Sequence, residues 1–418
     1  MRLQKYLFTA ALFFYVCIQV HAQENYTLQK ALQTARANNP VLKTEQFNIG
    51  MAEADVVTAK LRPNPVLNNE FLQIMDSEYF SESNDWHSKY NREVLWQIAK
   101  PIQWFGQRKN KINVAFGNLT LEEKNYTETE RNLFLEVAQK WLEVWVAQKQ
   151  IDIIQIAKEN TDSLVKINQR RFNNQVITQT ELFRTELLAK QYAIQYKTAA
   201  QEVKSRQKEF GFLLGVEEEV NVDSEDVFIF SNSHDIDSLL KNSLENRSDI
   251  QMAKSMVDVS NNNIKLQRSL AYPKPELGFI WNPQSAVPFM GISLSIDLPF
   301  FDRNQGEIKR SQYLKDQAEQ QLFTIKNQIQ SEIAVAQSDY QLQKQNIEEF
   351  KELLEQSQTI LENVKNAYLK GGTTIIDFLE AQRSWLDTQQ QHFDALQSYR
   401  ESYVQLLYAT GLINQLAL

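Results

Sequence analysis

The sequence has very little of the two residues that most often carry metal and redox chemistry. Its 418 residues include one cysteine, Cys17, and four histidines. Beyond the N-terminal segment described next, His87, His234 and His392 each stand alone, so no two have the spacing of metal ligands. We also find no glycine-rich phosphate loop and no nucleophile elbow. The sequence therefore predicts no enzyme, no cofactor and no structural metal site.

The N-terminal segment has the form of a secretory signal. Arg2 and Lys5 precede an apolar stretch over residues 6–18, and small residues at the end of the segment favour cleavage after Ala22. The bulky residues before Cys17 make a poor lipoprotein box, so we expect no lipid anchor. Residues 1–22 are thus the predicted signal peptide. The mature chain, which begins at residue 23, then has no cysteine and no disulfide.

Basic residues are too few for a nucleic-acid partner. The net charge of the whole chain is −8, and it becomes −10 when Arg2 and Lys5 leave with the signal. A nucleic-acid-binding protein usually presents a basic face instead. After the signal, no apolar run approaches the length of a membrane-spanning helix. The pattern leaves open a soluble exported protein or one that crosses a membrane as a β-barrel, whose signal in each strand is weak.

Glycine and proline are also scarce, with 11 and 9 in the chain. Neither occurs in Asn118–Phe210, Glu307–Lys370 or Thr373–Thr410. Because these two residues are the main local breaks in a helix, the three runs predict long helices. Their apolar residues recur at mixed steps of three and four with polar flanks, which is typical of coiled-coil-like packing.

The chain contains an internal duplication. Phe172–Gly215 aligns without a gap with Tyr368–Gly411 at a constant offset of 196 residues. A second pair of similar segments lies earlier in the two halves. Each segment includes a Pro-x-Pro step, and the two segments differ in length by two residues. We therefore predict one symmetric object over residues 23–418, built of two repeats, 23–216 and 235–418, with an acidic linker, 217–234.

Each repeat has the same predicted plan: two short helices, a Pro-x-Pro step, a pair of strands, and two long helices joined by a tight turn. The short helices are predicted at 28–38, 41–61, 236–246 and 249–270, and the strands at Val66–Ile74, Arg92–Lys100, Glu276–Trp281 and Gly291–Leu298. The period of two gives the strands one apolar face. That face either packs on the core of a soluble protein or faces lipid. In the second case several chains must share one barrel, because four strands cannot close around a lumen and open edges are not tolerated in hydrocarbon.

The turns between the long helices carry the most informative polar residues. Thr178 with Glu181, and Thr374 with Asp377, have the spacing of a capping box, which would satisfy free N–H groups at a helix start. Glu380 lies one turn beyond Asp377 on the same helical face, where the first repeat has an arginine. If several chains surround an axis, these two acids would form stacked rings that favour cations in a pore.

The chain as a whole resembles the TolC-type outer-membrane efflux duct family. The resemblance rests on the Asn38-Asn39-Pro40 step, the Pro-x-Pro exits, both helix turns and the duplicated plan. The run Leu298–Ile308, Leu-Pro-Phe-Phe-Asp-Arg-Asn-Gln-Gly-Glu-Ile, is similar to one in the heavy-metal branch, the outer-membrane component of cobalt-zinc-cadmium type systems. Pro101–Arg108 is similar to the matching run of the first half. The chain departs from the family's best-known member at Thr373, where that protein carries arginine.

The resemblance implies a mainly α protein with a small membrane β part. It implies a homotrimer in outer-membrane lipid, with an α-helical barrel reaching into the periplasm and four strands from each chain in a shared trimeric β-barrel. The periplasmic gate would include Tyr368, Asp377 and Glu380. A periplasmic adaptor would dock at the helix tips, and an inner-membrane pump, expected to be proton-driven, would supply the energy. The candidate docking residues are Arg171, Asn173, Asn174, Lys370, Gly371 and Gly372.

The predicted function is therefore that of a passive exit channel in the outer membrane of a Gram-negative bacterium. It would be part of a tripartite efflux system that exports small solutes, with heavy-metal cations as one class. The alternative from the residues alone is a secreted or periplasmic coiled-coil structural protein. The sequence leaves open whether metal, drug or polypeptide is exported, which pump and adaptor take part, and whether the gate rests open or closed.

Overall fold

The computed structural model describes residues 25–80, 88–225, 236–284 and 287–417. The predicted signal 1–22, His87, His234 and the part of the predicted linker from residue 226 onward lie outside these described residues. The chain divides into two compact units. Unit 1 comprises Met1–Lys43, Thr129–Arg247 and Gln328–Leu418, and unit 2 comprises Thr44–Glu128 and Ser248–Asn327.

Helices make up most of the described chain, as predicted. They are α1 (Leu28–Asn38), α2 (Pro40–Lys60), α3 (Gln107–Asn173), α4 (Gln179–Leu214), α5 (Ile236–Asn246), α6 (Ser248–Leu270), α7 (Gln305–Leu369) and α8 (Ile375–Ala409). The predictions for α1 and α5 agree with the structure at both ends, and α2 and α6 begin one residue earlier than predicted. Among the described helices, none has both the length and the apolar character needed to cross a membrane.

The start of α2 shows how local sequence sets a helix boundary. Pro40 occupies the first helical position, where its missing N–H costs nothing. The Asn39 Oδ1 atom accepts hydrogen bonds from the N–H groups of Val41 and Leu42, at 2.8 and 3.4 Å. Its Nδ2 atom donates to the carbonyl of Leu213 at 2.8 Å. Asn39 thus caps one helix and ties it to the end of α4.

The strands are β1 (Asn25–Tyr26), β2 (Val66–Gln73), β3 (Arg92–Pro101), β4 (Asn221–Val222), β5 (Glu276–Gln284) and β6 (Phe289–Ser295). In unit 2, four of them form an antiparallel sheet in the order β2-β3-β5-β6. The last of these was predicted over Gly291–Leu298 but begins at Phe289 and ends at Ser295. It ends there because Ser295 pairs with Glu276, and the residue before Glu276 is a proline, which has no N–H to donate.

Two tryptophans explain the small pairing of β1 with β4 in unit 1. These strands are parallel, with Tyr26 opposite Val222. Trp141 and Trp145 are buried on α3, and their indole N–H groups donate to the carbonyls of Tyr26 and Ser224 at 2.8 and 3.2 Å. A buried indole needs such an acceptor. The tryptophans therefore pack the helices and anchor both short strands.

One face of the sheet in unit 2 is apolar and exposed. We call it the apolar sheet face, and its residues are Leu67, Phe71, Val94, Trp96, Ile98, Leu277, Phe279, Trp281, Met290, Ile292 and Leu294. Ile292 opposes Phe279 in the register and is 80% exposed. The opposite face is mixed. It carries Val66, Leu72 and Phe289 beside polar and small residues, and Gln97 donates a hydrogen bond to Ser293 at 2.9 Å. In the described chain the apolar sheet face therefore does not pack on a core, contrary to the soluble-sheet alternative.

Candidate functional site

Both turns between the long helices are built in the same way. In the first hairpin, α3 and α4, the N–H of Val176 donates to the carbonyl of Arg171 at 2.8 Å. In the second, α7 and α8, the N–H of Gly372 donates to the carbonyl of Ala367, also at 2.8 Å. These six-to-one bonds are those of a Schellman motif, which satisfies carbonyls at a helix end. The two donors are 196 residues apart, which is the offset of the sequence duplication. The backbone hydrogen bonds of the two turns are therefore duplicated as well.

The residue in the left-handed conformation differs between the two turns. It is Gln175 in the first hairpin, with φ of 62°, and Gly371 in the second, with φ of 77°. Glycine adopts this conformation without steric cost, whereas a side chain is disfavoured in it. The first turn is therefore held at a conformational cost that the second avoids.

The helices that follow the turns begin with capping boxes, as the alternative interpretation of the two acids predicted. Thr178 accepts from the N–H of Glu181 at 3.3 Å, and the Glu181 carboxylate accepts from the N–H of Thr178 at 2.7 Å. Thr374 and Asp377 repeat the arrangement at 3.3 and 3.1 Å. Both acids therefore stabilise a helix start.

The Asp377 carboxylate is held more tightly than a capping box requires. Its Oδ2 atom accepts hydrogen bonds from the hydroxyls of Thr373 and Thr374, both at 2.7 Å. The hydrogen bonds from Thr373 and then Thr374 favour the ionised form, so they lower the pKa of Asp377 below its usual value. Asp377 thus carries a negative charge in an exposed position at the start of α8.

Tyr368 lies at the centre of a buried polar chain in unit 1. Its hydroxyl donates to Asn168 Oδ1 at 2.8 Å, and Asn168 Nδ2 donates to the hydroxyl of Thr185 at 2.9 Å. All three side chains are buried. Burial is the main cause that raises the pKa of Tyr368, so the phenol is neutral and able to donate. This chain of hydrogen bonds joins α7 to both helices of the first hairpin.

Two further side chains hold the Tyr368 ring. Phe378 stacks on it with ring centroids 5.6 Å apart, and the guanidinium of Arg171 lies 4.8 Å from its centroid. Arg171, predicted from sequence as a docking residue at a helix tip, is therefore half-buried against a predicted gate residue. We name Tyr368, Asn168, Thr185, Arg171 and Phe378 the tyrosine clamp.

The other predicted site residues are exposed. Glu380 lies one turn after Asp377, and both are exposed. The remaining predicted docking residues, Asn173, Asn174, Lys370, Gly371 and Gly372, are also exposed. Within the described ranges, no group of three or more His, Cys, Asp or Glu side chains could hold a metal ion. The site can therefore clamp two hairpins together and present carboxylates, and we derive no reaction from it.

Sequence reasoning missed Asn168 and Thr185, although the pattern held a signal for the first. Ala157, Thr161 and Leu164 are buried at alternating steps of four and three along α3, and Asn168 continues that stripe. A polar residue on an apolar stripe usually has a specific partner. The pattern could have flagged Asn168, but it could not have identified Tyr368 as that partner.

The comparisons with known proteins place these features in a family. The family model described as "Outer membrane efflux protein" matches residues 31–216 and 239–412. The cobalt-zinc-cadmium resistance protein CzcC of Cupriavidus metallidurans is 20% identical over 384 residues, which cover 90% of this chain and 87% of CzcC. The pyoverdine export outer membrane protein OpmQ of Pseudomonas putida is 22% identical over 392 residues, covering 90% of this chain and 79% of OpmQ. A solved membrane protein from Pseudomonas aeruginosa has a TM-score of 0.77 at 17% identity, covering 92% and 90% of the two chains.

The long helix hairpins and the exposed apolar sheet face belong to a fold that the chain shares with that solved membrane protein. The family match covers most of the chain, so the chain belongs to the outer membrane efflux protein family. It is accordingly a non-enzymatic exit channel of the outer membrane that extends into the periplasm. Such channels act in tripartite efflux systems with an adaptor and an inner-membrane pump, and they assemble as trimers.

Proposed function

We propose that the turns of the two hairpins form the periplasmic gate of this channel, and that the tyrosine clamp holds the gate in its resting state. The single observation that carries the proposal is the hydrogen bond from the Tyr368 hydroxyl to Asn168, which is buried and joins the two hairpins. A buried acceptor that loses its donor is destabilised, so separating the hairpins here has a defined free-energy cost. This free-energy cost of separating the hairpins would favour the joined state as the resting state of the gate.

Asp377 and Glu380 are the proposed electrostatic part of the gate. Both carboxylates are exposed and lie one turn apart at the start of α8. In a trimer, each position would contribute three carboxylates at one level, and the two levels would be stacked. Rings of carboxylates concentrate cations and repel anions. Asp377 has a double role in this proposal, because it also caps α8.

The proposed adaptor-docking surface is made of the exposed tip residues of both hairpins. Asn173 is the last residue of α3 and Asn174 follows it, and Lys370 to Gly372 follow the end of α7. The Schellman bonds fix the backbone of both tips, so their exposed groups are presented in a defined arrangement. Arg171 anchors the tip from inside through its contact with Tyr368.

The four-stranded sheet is proposed as one third of a closed twelve-stranded sheet in the membrane. In the described chain, β2 and β6 are the two edges of the sheet. An open strand edge is not stable in hydrocarbon, so each edge would pair with a neighbouring chain. The exposed apolar sheet face would then contact lipid, and the opposite, mixed face would line the lumen.

For the exported substrate we propose small solutes, with heavy-metal cations as the first class to test. The similarity to CzcC, whose name gives cobalt-zinc-cadmium resistance, supports the metal class. The similarity to OpmQ, which is named for pyoverdine export, makes pyoverdine the second substrate to test. We propose a proton-driven inner-membrane pump as the energy source.

The gate proposal is tested by removing its charges without changing its shape. In the double variant Asp377→Asn with Glu380→Gln, we expect the preference of the open channel for cations to fall toward no preference, because the carboxylate rings are gone. The measurement is the reversal potential of single channels in planar bilayers under a salt gradient.

The first repeat supplies the matched control. Glu181→Gln changes the equivalent capping acid at the start of α4. We expect it to leave the ion preference unchanged. If the double variant keeps the ion preference of the wild type, Asp377 acts only as the cap of α8 and neither acid is part of the gate.

A further inference from the structure

A cleft in unit 2 opens where the apolar sheet face ends. Lys100 is at the end of β3, and in the sheet register it opposes Leu277, which opposes Leu294. The last row of the apolar sheet face therefore consists of two leucines and a lysine. Shortly beyond this end of the sheet, α3 begins at Gln107. Because the helices of this family extend into the periplasm, this end of the sheet is its periplasmic end.

The cleft combines three cations with apolar walls. It has a volume of about 450 Å³, and its charged lining residues are Arg62, Lys100 and Arg108. The other lining residues are Pro63, Pro101, Ile102, Gln103 and Leu277, so no carboxylate lines the cleft. Arg108 donates through Nε and Nη2 to the carbonyl of Lys60 and thereby caps the end of α2. Within the residues that the structure describes, Arg62 and Lys100 form no ion pair.

We propose that this cleft, which we call the cationic cleft, binds the headgroup of an anionic phospholipid of the periplasmic leaflet. Basic pockets beside a membrane-spanning surface bind such headgroups, and each cation contributes electrostatic attraction to the anionic lipid. The acyl chains would run along the apolar sheet face, over the neighbouring side chains of Ile98 and Phe279. The inference rests on the proposal that this face contacts lipid. It goes further by assigning one lipid class to named residues.

The second repeat contains a cleft in the corresponding position with the opposite charge. It has a volume of about 590 Å³ and is lined by Lys274, Asp297 and Asp302, together with Tyr272, Leu298, Pro299 and other residues. Two carboxylates and one cation would repel an anionic headgroup. The two clefts therefore predict that anionic lipid binds at the first repeat and not at the second.

The test uses the full-length protein, purified as the trimer in detergent and freed of bound lipid. Native mass spectrometry measures the apparent Kd of dioleoyl phosphatidylglycerol, with dioleoyl phosphatidylcholine as the uncharged control. We expect the wild type to bind the anionic lipid more tightly. Arg62→Gln or Lys100→Gln should raise its Kd by about fivefold, and the two together by about thirtyfold. Lys274→Gln, which removes a cation from the second cleft, should leave that Kd unchanged.

Two results would overturn the proposal. One is that the double variant, Arg62→Gln with Lys100→Gln, keeps the preference for the anionic lipid. In that case Lys100 only places its charged end in water, away from the hydrocarbon, and binds no headgroup. The other is dihexanoyl phosphatidylglycerol binding as tightly as the dioleoyl lipid, which would mean that the apolar sheet face contributes nothing. Arg108 is left unchanged in all variants because it caps a helix.

Trimer mass and bilayer conductance are measured on the same preparations. A wild type that is not a membrane-inserted trimer would contradict the proposed function itself. A wild type and a double variant that both insert and conduct, with no difference in lipid preference, would contradict only the lipid site.

Discussion

The two helix hairpins share one backbone frame and differ in the side chains that it presents. The Schellman bonds at the tips, the capping boxes and the positive-φ glycines at the far ends, Gly215 and Gly411, recur at the same offset. Between these landmarks, Phe172 is replaced by Tyr368, and Arg184 by Glu380. The frame depends on residues that tolerate positive φ in the turns and on a threonine paired with an acid at each helix start, which few residue types can supply. The positions that the frame does not use are therefore free to carry the clamp and the carboxylates.

The largest expected effect of a substitution is at the ends of α4 and α8. Gly215 and Gly411 have nearly the same φ, 73° and 74°, but different neighbours. A Cβ atom at Gly215 would lie 2.6 Å from the backbone oxygen of Asn38, whereas one at Gly411 would lie 2.7 Å from Cγ of the Arg247 side chain. Both approaches are too close for an added Cβ atom, but the one at Gly215 is to a backbone carbonyl, which can move only together with the chain that precedes α2.

We therefore expect Gly215→Ala to cost about 3 kcal/mol of stability, from left-handed strain and overpacking. Gly411→Ala should cost about 2 kcal/mol, mainly from the strain. Urea titration of the detergent-solubilised protein measures both. Gly50→Ala in α2 is the control, because nothing lies within 4 Å of its added Cβ, and it should not destabilise. If Gly215→Ala and Gly411→Ala lose equal amounts of stability, the close approach of the Asn38 carbonyl to Gly215 has no effect on stability.

The next effect is expected at the clamp. Tyr368→Phe converts the second hairpin to the residue type of the first and leaves the buried Asn168 Oδ1 atom without its donor. The loss of about 1–3 kcal/mol falls on the state in which the hairpins are joined. If that is the resting state, the open probability of single channels in bilayers should rise about tenfold.

The reverse change, Phe172→Tyr, is the matched control for the clamp. Phe172 is half-buried, so an added hydroxyl can reach water and should leave the open probability unchanged. An unchanged open probability in Tyr368→Phe would show that the clamp stabilises the fold but does not restrain the gate.

The smallest expected effect is at the tips. There the residue at positive φ in one turn can be replaced by the residue that the other turn has at the same position. Gln175→Gly should stabilise the protein by about 1 kcal/mol, because it removes the strain of a side chain at positive φ. Gly371→Gln should destabilise it by a similar amount. Thermal unfolding of the two variants side by side should show shifts of opposite sign. Shifts of the same sign would mean that contacts of the Gln175 side chain, and not the backbone, decide the turn.

Much of the fold could be predicted because it follows from local rules. Proline at the start of α2, Asn39 before it, and threonine three residues before an acid at α4 and α8 each act within one helical turn. The alternation in β6 predicted a strand, but its limits depended on the partner strand. Its last paired residue, Ser295, was set by the proline that precedes β5.

The candidate site could be predicted only in part. That Tyr368, Asp377 and Glu380 are gate residues stays a prediction from the family resemblance, whereas the capping role of Asp377 was predicted from spacing alone and is confirmed. Asn168 was missed because its partner is 200 residues away in the chain. The contact of Arg171 with Tyr368 was missed for the same reason, since the packing of α3 against α7 decides it.

The sequence by itself determined the long helices, the turns between them and the caps, because each of these depends on residues within a few positions of one another. It also determined the duplication, because the constant offset of 196 residues can be read without a structure. Only the tertiary structure decided which polar side chains are buried together in the tyrosine clamp and which cations converge in the cationic cleft. Those groups come from segments far apart in the chain, so their meeting depends on how whole helices and strands pack. The same packing places different neighbours beside the equivalent glycines Gly215 and Gly411. It also decides which charged side chains line the equivalent clefts of the two repeats.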